Sequence, residues 1–240
     1  MIAISGLDQI YIINVREFSD RRRHITAQLA RFELEGEFVH DWDVGDITSE
    51  IDAQYFRNPD LSPGQKSCAL KHLTALQRIL ERGQNSALVL EDDVVLAGDF
   101  CEGVRAAMSE RSRHPGPQVI FIGSGGNFYT SRSQRRPDQR LYPATRGRFA
   151  DSYIVGADVA RLRLNWISRH GISRPIDNEF ERMDLECGVQ MLWLEDPVAE
   201  QGSKNGLFQT ALEQAPPRFL QKLKFSWEKL RRKYLYQLWR

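Results

Sequence analysis

The residues with the clearest chemical potential are three consecutive carboxylates, Glu91-Asp92-Asp93, set between the apolar runs 87–90 and 94–96. Carboxylates packed at the end of a buried strand repel one another and lose hydration unless a cation neutralises them. Mg²⁺ and Mn²⁺ prefer oxygen ligands and also accept phosphate oxygens. The alternative is a solvated strand end whose charges face water. The apolar runs on both sides favour the metal site.

Further polar groups follow other apolar runs in the same way. Asn14 and Arg16 come at and just after the run 10–15, and a glycine-rich run beginning at Gly123 follows residues 119–122. The glycine-rich run lacks the Lys-Ser/Thr ending of a phosphate loop and the full GxGxxG spacing, so we expect it to form a flexible wall beside a ligand.

Strands alternating with helices must position these groups. Apolar, β-branched runs predict strands at 10–15, 38–39, 87–90, 119–122, 152–155 and 191–194. Helical spacing of apolar residues predicts helices after residue 20, from 63 to 82 and over 159–167. Ser62-Pro63-Gly64-Gln65 is typical of a helix start. Residues 45–60 and 131–148 are predicted to be loops, the second of them mobile.

This alternation predicts an α/β fold with a mostly parallel central sheet covered on both faces. In such sheets the ligand binds outside the carboxyl ends of the strands. Asn14, Arg16, the acidic triplet and the run from Gly123 would therefore gather at one edge.

The charge distribution divides the chain into an acidic body and a basic tail. The 240 residues carry 33 Lys/Arg and 32 Asp/Glu, a net charge of +1 that gives no general attraction to nucleic acid. Residues 216–240 hold eight of these cations and one acid, a net of +7, which leaves −6 for residues 1–215. We expect a catalytic domain over 1–215 and a C-terminal basic amphipathic helix over 216–240. The helix suits an anionic membrane surface or packs on its own domain.

Cysteine use and hydropathy indicate where the protein works. Three cysteines without a CxxC pair argue against a disulfide framework or a zinc site and for a reducing compartment. The N-terminus lacks a signal-peptide pattern, and no run approaches the ~20 apolar residues of a membrane span. We expect a cytoplasmic protein, peripheral on the inner face of the cytoplasmic membrane.

Four stretches together resemble glycosyltransferase family 25, which includes lipooligosaccharide and collagen galactosyltransferases. Residues 12–15 and 20–22 resemble the opening "INL…DRR", and residues 61–72 resemble "LTPGE-x-GC-x-x-SH". Residues 88–94 resemble "xxLEDDV", and residues 120–123 resemble a strand ending in "LG". The resemblance covers about residues 10–125. Lys71 stands where the family usually has Ser, and Ser67 where it often has Gly.

The resemblance implies a GT-A-like nucleotide-sugar-binding domain. It also implies transfer of a hexose, with galactose as the expected sugar, from a UDP-sugar with inversion. The implied acceptor is a glycan or glycolipid such as lipooligosaccharide, and the implied cofactor is Mn²⁺ or Mg²⁺ held by a DxD-like motif. The implied metal ligands are Glu91 and Asp93. The implied nucleotide-side residues are Asn14, Arg16, Arg21, Arg22, His72, Glu91, Asp92 and Gly123.

An inverting transferase needs a base on the acceptor side. We nominate Asp177, with Glu179 behind it; a helix N-terminal acid after Pro175 is the alternative for Asp177. His72 follows Cys68 by four residues, so the two share a helix face, either as a metal or nucleophilic pair or as packing beneath the site.

Two other functions stay open. One is a Mg²⁺-dependent phosphohydrolase, which Val94-Val95 after the triplet disfavours because a phosphohydrolase turn has the form Asp-x-Asp-x-Thr. The other is a catalytically silent, membrane-associated glycan-assembly protein.

Overall fold

The computed structural model describes residues 4–202 and the isolated positions 227 and 231. Its strands are β1 (Gln9–Ile13), β2 (Glu37–Val39), β3 (Ser86–Glu91), β4 (Val94–Leu96), β5 (Gln118–Phe121), β6 (Leu141–Ala144), β7 (Ser152–Gly156), β8 (Gln190–Leu194) and β9 (Ala199–Gln201). Its α-helices are α1 (Ser19–Ala30), α2 (Ser49–Tyr55), α3 (Pro63–Glu81), α4 (Phe100–Arg111), α5 (Ala157–His170) and α6 (Ile176–Glu186). The boundary at residues 215–216 and, apart from positions 227 and 231, the expected C-terminal helix lie outside the described residues.

Seven strands form the central sheet, in the order β2-β1-β3-β7-β5-β8-β6. Strand β1 pairs in parallel with β2 and β3, and β5 pairs in parallel with β8. Strand β7 runs antiparallel to both β3 and β5, and β6 runs antiparallel to β8 at the edge. The expected α/β sheet is confirmed, but it is a mixed sheet, because β7 and β6 run against the other five strands. Strands β4 and β9 form a separate antiparallel pair.

Both faces of the sheet are covered, which explains why its strands are nearly continuous apolar runs. Alternate residues of β1 point to opposite sides: Tyr11 lies in the apolar cluster with α3, α5 and α6, whereas Ile10 and Ile12 lie in the cluster with α1 and α4. Among the described residues, no helix is both long enough and apolar enough to span a bilayer.

Helix α3 begins as its sequence predicts. The backbone N–H of Gln65 donates to Ser62 Oγ at 3.3 Å, and the Ser62 N–H donates to Gln65 Oε1 at 2.9 Å, which completes a capping box. The helix ends at Glu81, and Gly83 follows with a φ of +62°, a conformation that glycine adopts without strain. This start directs the first turns of α3 towards the carboxyl ends of β1 and β3.

Two segments predicted as loops contain regular structure. Residues 45–60 include α2, whose N-cap Thr48 accepts the Ile51 N–H at 3.4 Å. The prediction was wrong there because the helix is short, polar and has no buried residue. Residues 131–148 include β6, an edge strand that tolerates Pro143. They end at Arg148, which is 2% exposed.

Candidate functional site

The carboxyl ends of β1 and β3 meet at one edge of the sheet. Ile13 is in register with Glu91, and the Asp92 N–H donates to the Ile13 carbonyl at 3.1 Å. The acidic triplet therefore leaves the sheet beside Asn14, as the sequence predicted.

The middle carboxylate of the triplet ties this edge to α1. Asn14 Nδ2 donates to Asp92 Oδ2 at 2.7 Å, and Arg21 Nη1 donates to Asp92 Oδ1 at 3.2 Å. Burial raises the pKa of Asp92 to about 6, although Arg21 and Asn14 both lower it. Asp92 thus has both an amide and a cation beside it.

Glu91 ends β3 and lies among weaker contacts. Gln201 Nε2 donates to its Oε2 at 3.4 Å, while Cys68 Sγ and His72 Nε2 lie 3.9 and 3.7 Å from its Oε1. Burial raises the pKa of Glu91 to about 7, and the nearby Asp93 raises it further. With this pKa, the Glu91 carboxyl group titrates near neutral pH.

A further carboxylate, missed by the sequence interpretation, joins the triplet. Asp151 is 1% exposed, as is Asp93. Asp151 Oδ1 accepts the Ser152 hydroxyl at 2.7 Å, and its Oδ2 has no hydrogen-bond partner within residues 4–202. Burial raises the pKa of Asp151 well above its usual value, and Glu91, Asp93 and Asp177 add to the shift. The available signal was an acid directly before the apolar run 152–155.

Gly123 permits this arrangement. A Cβ at Gly123 would collide with the Ser152 hydroxyl and lie 2.5 Å from Asp151 Oδ1, so only glycine lets β5 end this close to β7. Arg148 holds the following turn by donating to the carbonyls of Gly123 (2.9 Å), Phe128 (2.7 Å) and Leu194 (2.8 Å). The buried guanidinium of Arg148 thus holds in place the glycine-rich turn that was expected to form a wall beside the ligand.

The two acids nominated on α6 have different surroundings. Asp177 is half-buried, and its Oδ1 accepts the Ala150 N–H at 3.1 Å, which places it beside Asp151. Glu179 is fully buried, and its Oε2 accepts the N–H groups of Ser173 and Arg174 at 2.7 and 2.8 Å. The structure brings Asp177 to the carboxylate cluster, whereas Glu179 holds the turn that enters α6.

We define the carboxylate cluster as Glu91, Asp93 and Asp151. Asp151 makes no ion pair with any residue in the described range, and its Oδ2 is a buried oxygen without a hydrogen bond. Glu91 and Asp93 both raise the pKa of Asp151. Buried, mutually repelling carboxylate oxygens are the donor set that Mg²⁺ and Mn²⁺ prefer, so the residues fit the expected ion.

A cavity of about 390 Å³ opens beside the triplet. Arg21 and the fully buried Lys71 supply its positive charge, and the Arg21 guanidinium lies 5.0 Å from the centre of the Phe18 ring. Lys71 Nζ donates to Asp43 Oδ1 and to the Asp41 carbonyl, both at 2.7 Å. The sequence analysis noted Lys71 as a departure from the family pattern but gave it no role in the site.

The remaining nominated residues lie around this cavity rather than in it. Arg16 is exposed and pairs with Asp43 and Asp46 at 3.3 and 2.9 Å. Arg22 lies on α1, partly exposed, and His72 lies buried behind Glu91. None of these three lines the cavity.

Residues 7–132, more than half of the chain, match the sequence model of the family described as "Glycosyltransferase family 25 (LPS biosynthesis protein)". The chain belongs to glycosyltransferase family 25. The match contains the acidic triplet, α3 and every strand from β1 to β5.

Named relatives agree with this membership. The chain is 30% identical over 210 residues to procollagen galactosyltransferase 2 of Homo sapiens, covering 81% of this chain and 32% of the relative. It is 24% identical over 176 residues to a "Putative glycosyltransferase" of Haemophilus influenzae, covering 70% and 61%. It is 26% identical over 106 residues to the inactive glycosyltransferase 25 family member 3 of Homo sapiens, covering 40% and 18%. The chain therefore spans less than two thirds of the length of each relative.

Among solved structures, the chain is similar to A197 from STIV, with a TM-score of 0.40 and 16% identity over 79% of this chain and 83% of that one. A similarity at this level does not decide between α/β folds.

Proposed function

We propose that this chain transfers a hexose from a UDP-sugar to a hydroxyl of a glycan or glycolipid such as lipooligosaccharide, with inversion. Galactose is the hexose that we expect. The family membership supports glycosyl transfer. The observation that carries the proposal is the carboxylate cluster, which adjoins a cavity lined by Arg21 and Lys71. At this edge of a GT-A-like sheet, a divalent cation would balance the carboxylates, and a nucleoside diphosphate would contact Arg21, Lys71 and that cation.

The cluster would hold the metal. Glu91, Asp93 and Asp151 are the oxygen donors that fit Mn²⁺ or Mg²⁺, with Asp92 as an outer ligand. When bound, the ion supplies Lewis-acid stabilisation of the charge that builds on the departing diphosphate. Gly123 and Arg148 keep this space open by fixing the turn after β5.

The cavity would bind the nucleotide. Its volume falls within the ~300–1,000 Å³ that is usual for ligand pockets. Arg21 and Lys71 suit diphosphate oxygens, and the apolar walls near Ile13 and Phe18 suit a base and ribose. The main role of Asn14 would be to orient Asp92 through its side-chain amide, and not to bind the nucleotide directly.

Asp177 is the proposed base. It would take the proton of the acceptor hydroxyl as that oxygen attacks the anomeric carbon and UDP departs with the bonding electrons, which inverts the centre. The Ala150 N–H holds one of its carboxylate oxygens at 3.1 Å beside the cluster. Glu179 behind it would keep the turn 173–175 in place.

The central test is metal-dependent UDP release by Asp93→Asn. We expect turnover with Mn²⁺ to fall on the order of 100-fold or more, because one carboxylate of the charge-stabilising site is lost. Asp138→Asn, at an exposed loop position, is the matched control and should keep wild-type turnover. Unchanged turnover in Asp93→Asn, with Asp138→Asn also active, would contradict the proposal.

A second candidate function has one observation in its favour, the similarity to an inactive member of the same family. A catalytically silent glycan-assembly protein would bind an acceptor without turnover. Calorimetric titration with UDP, with and without Mn²⁺, separates the two: the transferase binds UDP more tightly with the ion, and the silent protein shows no such dependence.

The basic tail supports the further proposal that the protein works at the inner face of the cytoplasmic membrane. Residues 216–240 carry a net charge of +7, which favours anionic lipid. The full chain should sediment with vesicles containing anionic lipid and stay in solution with neutral ones. Equal binding to both kinds of vesicle would contradict this placement.

A further inference from the structure

A mixed donor set lies beside the carboxylate cluster and shares only Glu91 with it. Cys68 Sγ, a ring nitrogen of His72 and a carboxylate oxygen of Glu91 all lie within 4.8 Å of one another. Cys68 and His72 are four residues apart on α3 and so share one face of the helix, which packs over the end of β3. Three different ligand types thus converge on one point.

His72 carries the observation that points to a ligand. It is fully buried, and its Nε2 has no hydrogen-bond partner in the part of the chain that the structure describes. The nearest acidic oxygen, Glu91 Oε1, is 3.7 Å away, too far for a hydrogen bond. A buried ring nitrogen without a partner is unfavourable, so a bound group that accepts its lone pair would stabilise the site.

The other ring nitrogen is already oriented. His72 Nδ1 lies 3.1 Å from Tyr153 Oη, and the Phe180 ring meets the imidazole edge-on, with centroids 5.9 Å apart. In the tautomer whose Nδ1–H donates to Tyr153 Oη, the Nε2 lone pair faces Glu91 and Cys68. Metal-binding histidines are held in this way by a contact to their second nitrogen.

The donor set is also reachable. Cys68 and Glu91 both line the cavity, so an ion can enter from that side and keep one coordination position directed towards it. Sequence spacing does not reveal the site, because Glu91 lies 19 residues after His72 and reaches it only through the packing of α3 on β3.

We propose that Cys68, His72 and Glu91 form a zinc site with three protein ligands and a fourth position open to the cavity. One thiolate, one imidazole and one carboxylate match the borderline-soft preference of Zn²⁺, whereas Mn²⁺ and Mg²⁺ prefer oxygen donors. Glu91 is shared with the carboxylate cluster, so zinc occupancy would withdraw one of the cluster's oxygens. Zinc binding itself does not depend on the proposed transfer reaction.

Cobalt titration of the full chain tests the thiolate ligand. Adding Co²⁺ should produce a thiolate-to-cobalt charge-transfer band that saturates at one ion per chain and is displaced by one equivalent of Zn²⁺. Cys68→Ser should abolish the band. Cys101→Ser and Cys187→Ser, at two other partly exposed free cysteines, are matched controls and should keep it.

Two further variants test the other parts of the site. Tyr153→Phe should weaken Zn²⁺ affinity about 10–100-fold, because the imidazole loses its orienting contact. Asp93→Asn removes a proposed Mn²⁺ ligand that is not a zinc ligand, so it should leave the cobalt band in place and distinguishes loss of the Mn²⁺ site from loss of the zinc site. Absence of a thiolate band in the wild type, or a band that survives Cys68→Ser, would overturn the proposal.

Discussion

Two sets of buried acids in this chain have opposite surroundings. Asp184 on α6 is fully buried, and both of its oxygens accept from Arg163 of α5, at 2.9 and 2.6 Å. Asp151 at the sheet edge is equally buried, yet its Oδ2 accepts no hydrogen bond within residues 4–202. Its acidic neighbours raise its pKa further.

The difference separates an acid that is paired within the fold from an acid that we propose as a metal ligand. A buried acid with its own guanidinium is complete, and here the pair locks α5 onto α6. Asp151 lies among other acids that raise its pKa, and we propose that a bound ion balances this repulsion. Asp92 is intermediate, because Arg21 and Asn14 contact it while burial and the neighbouring Asp93 raise its pKa.

The largest effect is expected from breaking the complete pair. Arg163→Met should lower the free energy of unfolding by about 3–5 kcal/mol, because Asp184 is then left buried and unpaired. Urea denaturation measures the change. The double variant Arg163→Met with Asp184→Leu should recover most of the loss, because no charge stays behind. A loss below about 1 kcal/mol in the single variant would remove the distinction between the two sets.

Completing the other set should stabilise the protein. Mn²⁺ at a hundred times its Kd is expected to raise the free energy of unfolding by about 2.7 kcal/mol. Asp151→Asn should lose most of this gain, whereas the exposed control Asp138→Asn should retain it. Differential scanning calorimetry with and without Mn²⁺ measures the stabilisation of both variants. An equal shift in Asp151→Asn would remove Asp151 from the ion site.

The pH dependence without metal should show the missing counter-charge. The pKa of Glu91 in the folded state is about 7, above its ordinary 4.5, so the folded protein holds a proton that the unfolded chain releases. The stability contributed by protonated Glu91 is therefore present below about pH 4.5 and is lost as the pH rises to about 7. Glu91→Gln should remove this loss, on the order of 3 kcal/mol. Denaturation of both proteins across this window measures the difference, and parallel curves would count against the assignment.

The smallest effect is expected at the exposed rim. Arg16→Ala should leave stability almost unchanged, because Arg16 is exposed and its pairs with Asp43 and Asp46 are screened by water. Arg21→Met should cost more, because it removes the cation beside the buried Asp92. Thermal unfolding compares the two variants. The reverse order would show that burial does not rank these arginines.

Local features of the chain were predictable from the sequence. The capping residues at Ser62 and Gln65, the strand before Glu91 and the helix after β1 all depend on neighbours within a few residues. The polar groups after β1, β3 and β5 met at one edge because these strands run in the same direction. Periodicity and capping are short-range effects, so a sequence displays them directly.

Other features depended on contacts between distant segments. The reversed β7 brings Asp151 beside Glu91, and α3 brings Cys68 and Lys71 to the same edge. The edge strand β6 and the buried end of its loop exist only because β8 and three carbonyls receive them.

The sequence by itself thus determined six strands of the central sheet, helices α1, α3 and α5, the family and the acidic triplet. Only the tertiary structure decided which carboxylates pair with an arginine and which lie among other acids, because burial and charged neighbours come from residues far apart in the chain.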